Sequence, residues 1–550
     1  MTNAEIATLL RTYADLMEIG GDSSFRINAY RRAADTVQSY DQPLASLPDL
    51  TGITGVGQGI AGVIREVLAT GTFVALEDLQ EQIPGSVLSL LDVPGVGAKT
   101  AARLYRELNI TSLTELDAAV REGRLTSMKG MGPKAQARIG EGLVFLQRRT
   151  GRTSIGMALP LAERLAARLT SATGRPVFIA GSVRRMCVTV GNIDLVAVGD
   201  DHEVVLNAVA SLPDIASTLR REGDVATFDL HQGIMLRVRA SHPSRAGTTL
   251  VEATGSDDHL QVLGSEPLPD AATEDELYDA LGLPWIAPEL RENRGEIDAA
   301  REGRLPRLIE LSDIRGDLHL HSTWSDGSAT PLEMAVAGSS RAYAYLAITD
   351  HSGGLGVAGG LKPERLAEQR REIDRLADES PLRLLAGSEV EVHRDGRLDF
   401  ADDVLAGLDL VVASLHSGLR SEGFTDRLLG VIAHPHVDII AHPTGRLVER
   451  RQGADIDWPL VFAAARESGT VLEINSDPAR LDMDDVNALA ASQAGCLISI
   501  DSDAHHPASL DLVRYGVGVA RRAWIEPQQV VNTWLLEDLL AWLSERHLPR

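Results

Sequence analysis

The sequence holds only two cysteines, Cys187 and Cys496, in 550 residues, too few for a disulfide framework. No apolar run approaches the roughly 20 residues that a membrane-spanning helix requires, so no membrane partner is expected. The opening Met-Thr-Asn-Ala-Glu lacks a basic segment followed by an apolar stretch, and a cytoplasmic protein is the expectation. Excess positive charge is missing too. The formal net charge is −25, and phosphate repulsion over such a surface opposes general nucleic-acid binding. The deficit is uneven: residues 1–150 hold 15 Lys and Arg against 17 Asp and Glu, which leaves −2 there and −23 on the remaining 400 residues. On charge, only the N-terminal part suits a DNA-facing surface. The length and a hydrophobic content of 44% predict several soluble domains.

The first 150 residues read as all-α. Ile6, Leu9, Leu10, Tyr13, Leu16 and Met17 recur at spacings of three and four, as on one face of a helix, and a second such run begins at Phe25. Three segments then share one pattern: Ile53-Thr-Gly-Val-Gly, Val93-Pro-Gly-Val-Gly and Met128-Lys-Gly-Met-Gly, each before an Ala-rich helix. These are helix-hairpin-helix signatures. A tight glycine turn at a helix N-terminus exposes backbone N–H groups, which can hold a phosphate without reading sequence. One such hairpin could be a structural turn. Three, with Lys99, Lys129 and Lys134 nearby, predict DNA binding without sequence specificity through Gly55, Gly57, Gly95, Gly97, Lys99, Gly130, Gly132 and Lys134.

After Arg152 an apolar helix precedes Pro176-Val-Phe-Ile-Ala-Gly-Ser-Val-Arg-Arg, a strand entering a Gly-Ser turn, and then Gly191-Asn-Ile-Asp-Leu-Val-Ala-Val. With its helical start, tandem hairpins, Gly-Ser-x-Arg-Arg and Gly-x-Ile-Asp in this order, essentially the full chain resembles the bacterial family X DNA polymerases that carry a C-terminal PHP (polymerase and histidinol phosphatase) domain. The resemblance implies an α/β nucleotidyltransferase-like palm and thumb, where three carboxylates hold two Mg²⁺ ions for nucleotidyl transfer. Here the first is replaced by Asn192, the second is kept as Asp194, and the third falls near Met235. An amide offers one weak neutral oxygen, and a thioether is a poor ligand for a hard cation. Val188 stands where the family has an acidic residue, and Glu252-Ala replaces an aromatic pair before Thr254-Gly-Ser. Ser182, Arg184 and Arg185 are retained; they could meet a phosphate or pair with local acids. Together with Asn192, Asp194 and Met235 they read as a degenerate polymerase site, with activity lost or very weak and Mg²⁺ a cofactor only if that site works. Asp229 is the candidate for a substitute carboxylate. The family's animal members also use a Schiff-base lysine in the first domain, and residues 1–98 contain no lysine. Trp285 is expected to serve packing.

Further on, Arg315-Gly-Asp-Leu-His-Leu-His-Ser-Thr-Trp-Ser-Asp-Gly sets His319 and His321 at strand spacing, so both imidazoles share one face; Asp326 follows in a turn closed by Gly327. Later apolar runs end in His351, Glu389, His416, His442, and Asp503 with His505. Ligands recurring just after successive strands are how an α/β barrel builds a site at its C-terminal face. The resemblance implies a distorted (β/α)7 PHP barrel and a three-metal centre on His319, His321, Asp326, His351, Glu389, His416, His442, Asp503 and His505, with Glu389 bridging. Mixed N and O donors suit Zn²⁺, Mn²⁺ or Fe²⁺ better than Ca²⁺. The implied chemistry is hydrolysis of a phosphoester by metal-activated water. Glu389, His351 and Arg480 are the expected catalytic residues, Asn475 and Arg480 the expected substrate contacts, and Asp350 a possible support for His351. His434, His436 and His506 have no slot in this pattern.

The expected layout is a helical domain with one hairpin over 1–80, a fingers-like domain with two over 81–150, a palm over 151–245, a thumb-like segment over 246–300, a linker over 301–312 and a PHP domain over 313–550. The leading expectation is a monomeric DNA-binding, metal-dependent phosphoesterase, a 3′–5′ exonuclease or 3′-end processing enzyme acting at ends or gaps in repair. Three alternatives stand beside it: an active gap-filling polymerase, a small-molecule phosphatase of histidinol-phosphate type, which leaves the hairpins without a task, and a non-catalytic DNA-bound scaffold.

Overall fold

The computed structural model describes the backbone of residues 3–547 except 39, 41–43, 48, 54, 84, 94, 112, 129, 150–151, 265–266 and 355–357. Lys129 thus lies outside the described residues. The chain forms two compact units, Met1–Thr150 and Gly151–Arg550.

The first unit is helical. Helices Asn3–Gly20 and Ser24–Gln38 bury Ile6, Leu10, Tyr13, Leu16, Met17, Ile27 and Val37 against Gln58–Thr70 and Ala98–Leu108. Phe25, at the start of the second periodic run, is exposed. Each hairpin turns on a left-handed glycine: φ is +83° at Gly55, +92° at Gly95 and +80° at Gly130, a region where a side chain is disfavoured.

The second unit opens with a five-stranded mixed sheet in the spatial order Val177–Ala180, Asn192–Val198, Met235–Ser241, Val225–Leu230, Ile215–Glu222. Helices Ile155–Thr173 and His202–Ala210 pack one face through Leu165, Leu169, Val205 and Val209. Helices Ala246–Thr254, Asp257–Leu263 and Glu274–Ala280 follow and enclose a small core around Leu277, Tyr278 and Ile286. Within residues 301–312, expected as a linker, Leu308 and Ile309 are buried, and Ile309 bonds to the barrel. Ile309 N–H donates to Ile525 O at 3.1 Å, and Arg521 Nη1 donates to Ile309 O at 3.0 Å.

Seven parallel strands then run in sequence order: Gly316–Leu320, Tyr345–Ile348, Arg383–Glu391, Leu410–Ser414, Ile439–Ile440, Val471–Asn475 and Ile498–Asp501. Both faces are buried, hence the near-continuous apolar runs. The ends of the first and last strands meet: His321 N–H donates to Ala504 O at 2.9 Å and Asp503 N–H to His319 O at 3.0 Å. Below this seam, side chains supply the bonds. Asp501 Oδ1 accepts from Leu318 N–H at 2.8 Å, and Asp317 accepts from Ser502 N–H at 3.2 Å. The result is a nearly closed, distorted barrel. Among the described residues no helix is long and apolar enough to cross a membrane.

Candidate metal centre and nucleic-acid interface

The barrel's strand ends bring the nine expected ligands to one place. His321, Asp326, His351 and His505 form one group of donor atoms lying within 4.8 Å of one another; His319, His321 and Glu389 form a second, and Glu389, His416 and His442 a third. His321 and Glu389 each belong to two groups. Asp503 Oδ1 lies 3.1 Å from His321 Nε2 and 3.9 Å from His319 Nε2. Asp326 comes from the turn after the first strand, and Gly327 is required there because a Cβ would lie 2.7 Å from the His321 backbone. His442 and Asp503 hold positive φ, 27° and 53°, strain of the kind concentrated at functional sites.

The donors surround a cavity of about 280 Å³ lined by Asp326, His351, Glu389, His416, His442, Arg480, Asp503 and His505. His319 Nε2 and His321 Nδ1 are buried and have no hydrogen-bond partner. An orphaned buried polar atom costs about 1–3 kcal/mol, a cost that a bond to a cation removes. Carboxylates behind the rings orient them: Glu473 Oε1 lies 2.7 Å from His319 Nδ1, and Glu391 Oε2 lies 2.7 Å from His416 Nδ1. The proton is thereby held at Nδ1, and Nε2 faces inward. This mixed N/O donor set fits divalent metal ions.

Electrostatics agree. Burial lowers the His351 imidazole, but the Glu389 and Asp326 carboxylates outweigh it and raise its pKa to about 10. Burial raises Asp326, and His351 with His505 outweighs that and holds it well below the usual carboxylate range. His321 is pushed down to about 4 by burial and by the charge of His505, and His442 to about 3 by burial and Arg480.

Three expectations near the site change. Asp350 does not support His351: its carboxylate accepts from Ser322 N–H at 2.8 Å, from Ser322 Oγ at 2.6 Å, and from Ser325 and Gln369. Successive residues after a strand point to opposite sides, so Asp350 holds the Asp326 turn, while His351 Nδ1 faces Glu389 at 2.6 Å. Asn475 is fully buried and donates to Asp503 Oδ2 at 3.1 Å and Glu473 Oε2 at 3.3 Å; it braces ligands and does not face the cavity. Trp285 is 40% exposed and donates to Glu274 at 3.1 Å, so packing is only part of its role. Arg480 does line the cavity. His434 sits 3.4 Å from Asp402 and His506 accepts from Ala508 N–H at 3.0 Å, both outside the cluster; His436 also stays outside it, beside His434. Sequence reasoning missed Glu391 and Glu473, although Glu391 follows Glu389 at the i+2 spacing of one strand face.

In the palm-like sheet, parallel register sets Met235 beside Asn192 and Arg237 beside Asp194. Arg237 Nε lies 2.5 Å from Asp194 Oδ1. Asp229 pairs with Met235 from the next strand, one strand further from Asp194. Arg184 forks onto Glu274 at 2.7 and 2.8 Å, and Arg185 bonds Glu292 at 2.9 Å and Thr254 O at 2.7 Å. Gly181, beside Ser182, has φ +65°, and its missing Cβ would strike Asp194. Among the described residues no group of three metal-capable side chains occurs in this sheet.

In the hairpins, Gly57 and Gly97 are helix N-caps with φ −76° and −86°, open to any residue. A Cβ at Gly57, Gly97 or Gly132 would meet nothing within 4 Å. Among the described residues no internal contact requires these glycines. Gly55 and Gly95 are fixed by positive φ, and at Gly95 a Cβ would also crowd the Arg138 side chain at 3.2 Å. Lys99 and Lys134 are exposed in the first turns that follow.

Residues 1–73 match the family model for a helix-hairpin-helix domain, and residues 47–109 and 87–143 match that for a SAM-like helix-hairpin-helix tandem. The DNA polymerase/3′-5′ exonuclease PolX of Bacillus subtilis is 36% identical over 572 residues, covering 99% of this chain and 100% of that protein. A protein of Thermoanaerobacter named a probable phosphatase is 30% identical over 241 residues, covering 40% of this chain and 89% of its own. Another, of Syntrophotalea carbinolica, is 27% identical over 242 residues, 42% of this chain and 95% of its own.

Proposed function

Since the chain belongs to the family X DNA polymerases that carry a PHP domain, we propose that it is a 3′–5′ exonuclease whose palm no longer transfers nucleotides. The observation that carries this reading is a contrast within one unit. Nine donors converge in the barrel, whereas the palm keeps one carboxylate of three, and Arg237 occupies it. The helical unit is assigned to DNA, the sheet and the helices after it to palm and thumb, and residues 313–550 to the hydrolytic domain. The protein acts in the cytoplasm as a monomer.

The nine donors would hold three divalent ions, Mn²⁺ or Zn²⁺ or Fe²⁺, which supply Lewis acidity and nucleophilic water for phosphodiester hydrolysis. The chain's residues do the rest. Glu473 and Glu391 keep their histidines in one tautomer. The half-enclosed cavity limits water around the reacting phosphate. Arg480, pointing into the cavity, pairs with a non-bridging phosphate oxygen and offsets charge that grows there during attack. The hairpins grip the DNA backbone through N–H groups and deliver a 3′ end whatever its sequence.

The test uses metal-stripped protein resupplied with Mn²⁺ or Zn²⁺ on 5′-labelled single-stranded and recessed-end DNA. Stepwise shortening from the 3′ end that disappears in a His319→Ala/His321→Ala variant is the expected result. Intact DNA with every metal, beside hydrolysis of small phosphomonoesters, would replace this reading with a phosphatase.

A further inference from the structure

Arg480 reaches the metal cavity from the loop of residues 476–482, which follows strand Val471–Asn475. This loop is stiff. Arg480 N–H donates to Asp477 O at 2.7 Å, and Ala479 N–H donates to Asp477 Oδ1 at 2.9 Å, which closes a turn. Asn475 N–H donates to Asp482 O at 2.7 Å, and Arg446 Nε donates to Arg480 O at 2.8 Å. The Arg480 side chain is held less firmly: Nη1 is buried without a hydrogen-bond partner, and Nε lies 3.6 Å from Asp503 Oδ2. Where the guanidinium sits is therefore set by where the loop sits.

The back of the loop rests on the palm. Ile155 N–H donates to Val188 O at 2.9 Å, which ties the start of helix Ile155–Thr173 to the palm. The next residue, Gly156, runs directly against Pro478: a Cβ there would lie 2.9 Å from Pro478 Cγ and closer still to Pro478 Cβ. Neither side yields easily, since one is helix backbone and the other a ring closed on the main chain. Helix Val513–Arg522 wedges the start of the same loop against the palm. A Cβ on Gly516 would lie 2.7 Å from Ile500 Cγ2 and closer to Ser476 Oγ, and one on Gly518 would lie 2.7 Å from Met186 Cε. Arg522 Nη1 donates to Arg185 O at 2.8 Å, and Arg514 Nη1 lies 3.1 Å from Glu163 Oε1. Interiors packed this closely pass a displacement on and do not absorb it.

We propose that the palm positions Arg480: the contact of Gly156 with Pro478 sets the guanidinium in the cavity, so that a sheet without its own chemistry still serves the hydrolysis of phosphate esters. Gly156 and Pro478 are positioning residues, and neither lines the cavity. The inference rests on the proposed function, in which Arg480 meets the phosphate.

The probe is inorganic phosphate, titrated calorimetrically into Mn²⁺-loaded protein, beside hydrolysis of bis(p-nitrophenyl) phosphate and of 5′-labelled single-stranded DNA. Alanine suits a helix better than glycine, so Gly156→Ala does harm only through Pro478. It should weaken phosphate binding about tenfold, the worth of one charge-assisted contact. kcat/KM on the small diester should fall by a similar factor, with the Mn²⁺ count per chain unchanged. Added to Arg480→Gln, or to Pro478→Gly, where the struck ring atoms are gone, the same change should alter phosphate binding by less than about twofold. Unchanged phosphate binding in Gly156→Ala, its full effect persisting in either background, or Mn²⁺ lost along with phosphate would overturn the proposal. Should Gly156→Ala fail to fold, Pro478→Gly removes the contact from the barrel side and should itself weaken phosphate binding severalfold; no change there overturns the proposal too. If DNA stays intact while phosphate binding responds as stated, the exonuclease reading falls alone; if DNA is shortened and phosphate binding does not respond, this inference falls alone.

Discussion

Glu473 and Glu391 stand behind the donors, and their effect passes through the rings they hold. Glu473 meets His319 Nδ1 with one oxygen and the His442 N–H, at 2.5 Å, with the other. Among the described residues the Glu391 carboxylate bonds one ring, His416. Glu473→Gln should therefore weaken metal affinity more than Glu391→Gln, both within the 10–100-fold range usual for partners of ligating histidines. Titration calorimetry with Zn²⁺ or Mn²⁺ checks this, and unchanged affinity in both variants would remove the orienting role. At this scale the sequence was legible where chemistry is rare: His319, His321 and the Asp503–His505 pair stand out at strand ends. Acids are common on a chain this negative, and which one faces the back of a ring depends on side-chain direction. Asp350 shows the trap, since chain adjacency to His351 puts it on the other side.

At the scale of elements, the three hairpins separate glycines that the fold needs from glycines that it does not. Gly57→Ala and Gly97→Ala place a methyl in open space, so stability should change by about 1 kcal/mol at most, the range for an N-cap position. DNA affinity should fall several-fold in both, measured by fluorescence anisotropy with parallel thermal melts. A large drop in melting temperature would return these glycines to a structural role. In the palm, Asn192→Asp should leave the sheet intact and still give no incorporation of labelled nucleotide with Mg²⁺, because Arg237 remains on Asp194 and Met235, in register with position 192, supplies no carboxylate. Incorporation by the unaltered protein would refute the reading of a lost polymerase. The repeated Gly-x-Gly pattern and the strand-then-ligand rhythm made hairpins and barrel readable in advance. Side chains of the palm-like sheet carry no such rhythm, and the register of two strands shows which residues sit together.

Across the whole molecule, charged side chains join the palm to the barrel inside the second unit. Glu292 accepts from Arg185 at 2.9 Å and from Arg522 at 2.7 Å, and Arg522 reaches on to Asp485 at 3.0 Å. Burial raises the Glu292 carboxyl, but Arg522 and Arg185 outweigh it and hold its pKa at about 2 against an ordinary 4.5. A carboxyl lowered on folding contributes stability that is whole above its unfolded pKa and is lost as pH falls through the folded one. The joint should therefore weaken between about pH 4.5 and 2, by about 3 kcal/mol for a shift of this size. Urea denaturation at pH 6 and pH 3 should show a larger difference for the unaltered protein than for Glu292→Gln; equal differences would mean that the joint carries no such load. Within residues 301–312, expected as a linker, acidic, proline-marked composition does not reveal that Ile309 is buried and donates to Ile525 O of the barrel. The seam of the barrel has a consequence for how the protein comes into being. Donors run from His319 to His505, and the free edge of the first strand is paired only when the chain after the last one docks on it. On the proposed exonuclease reading, a ribosome-bound chain presents its hairpins to DNA well before it has anything to cut with, and a fragment ending short of His505 should bind DNA without hydrolysing it.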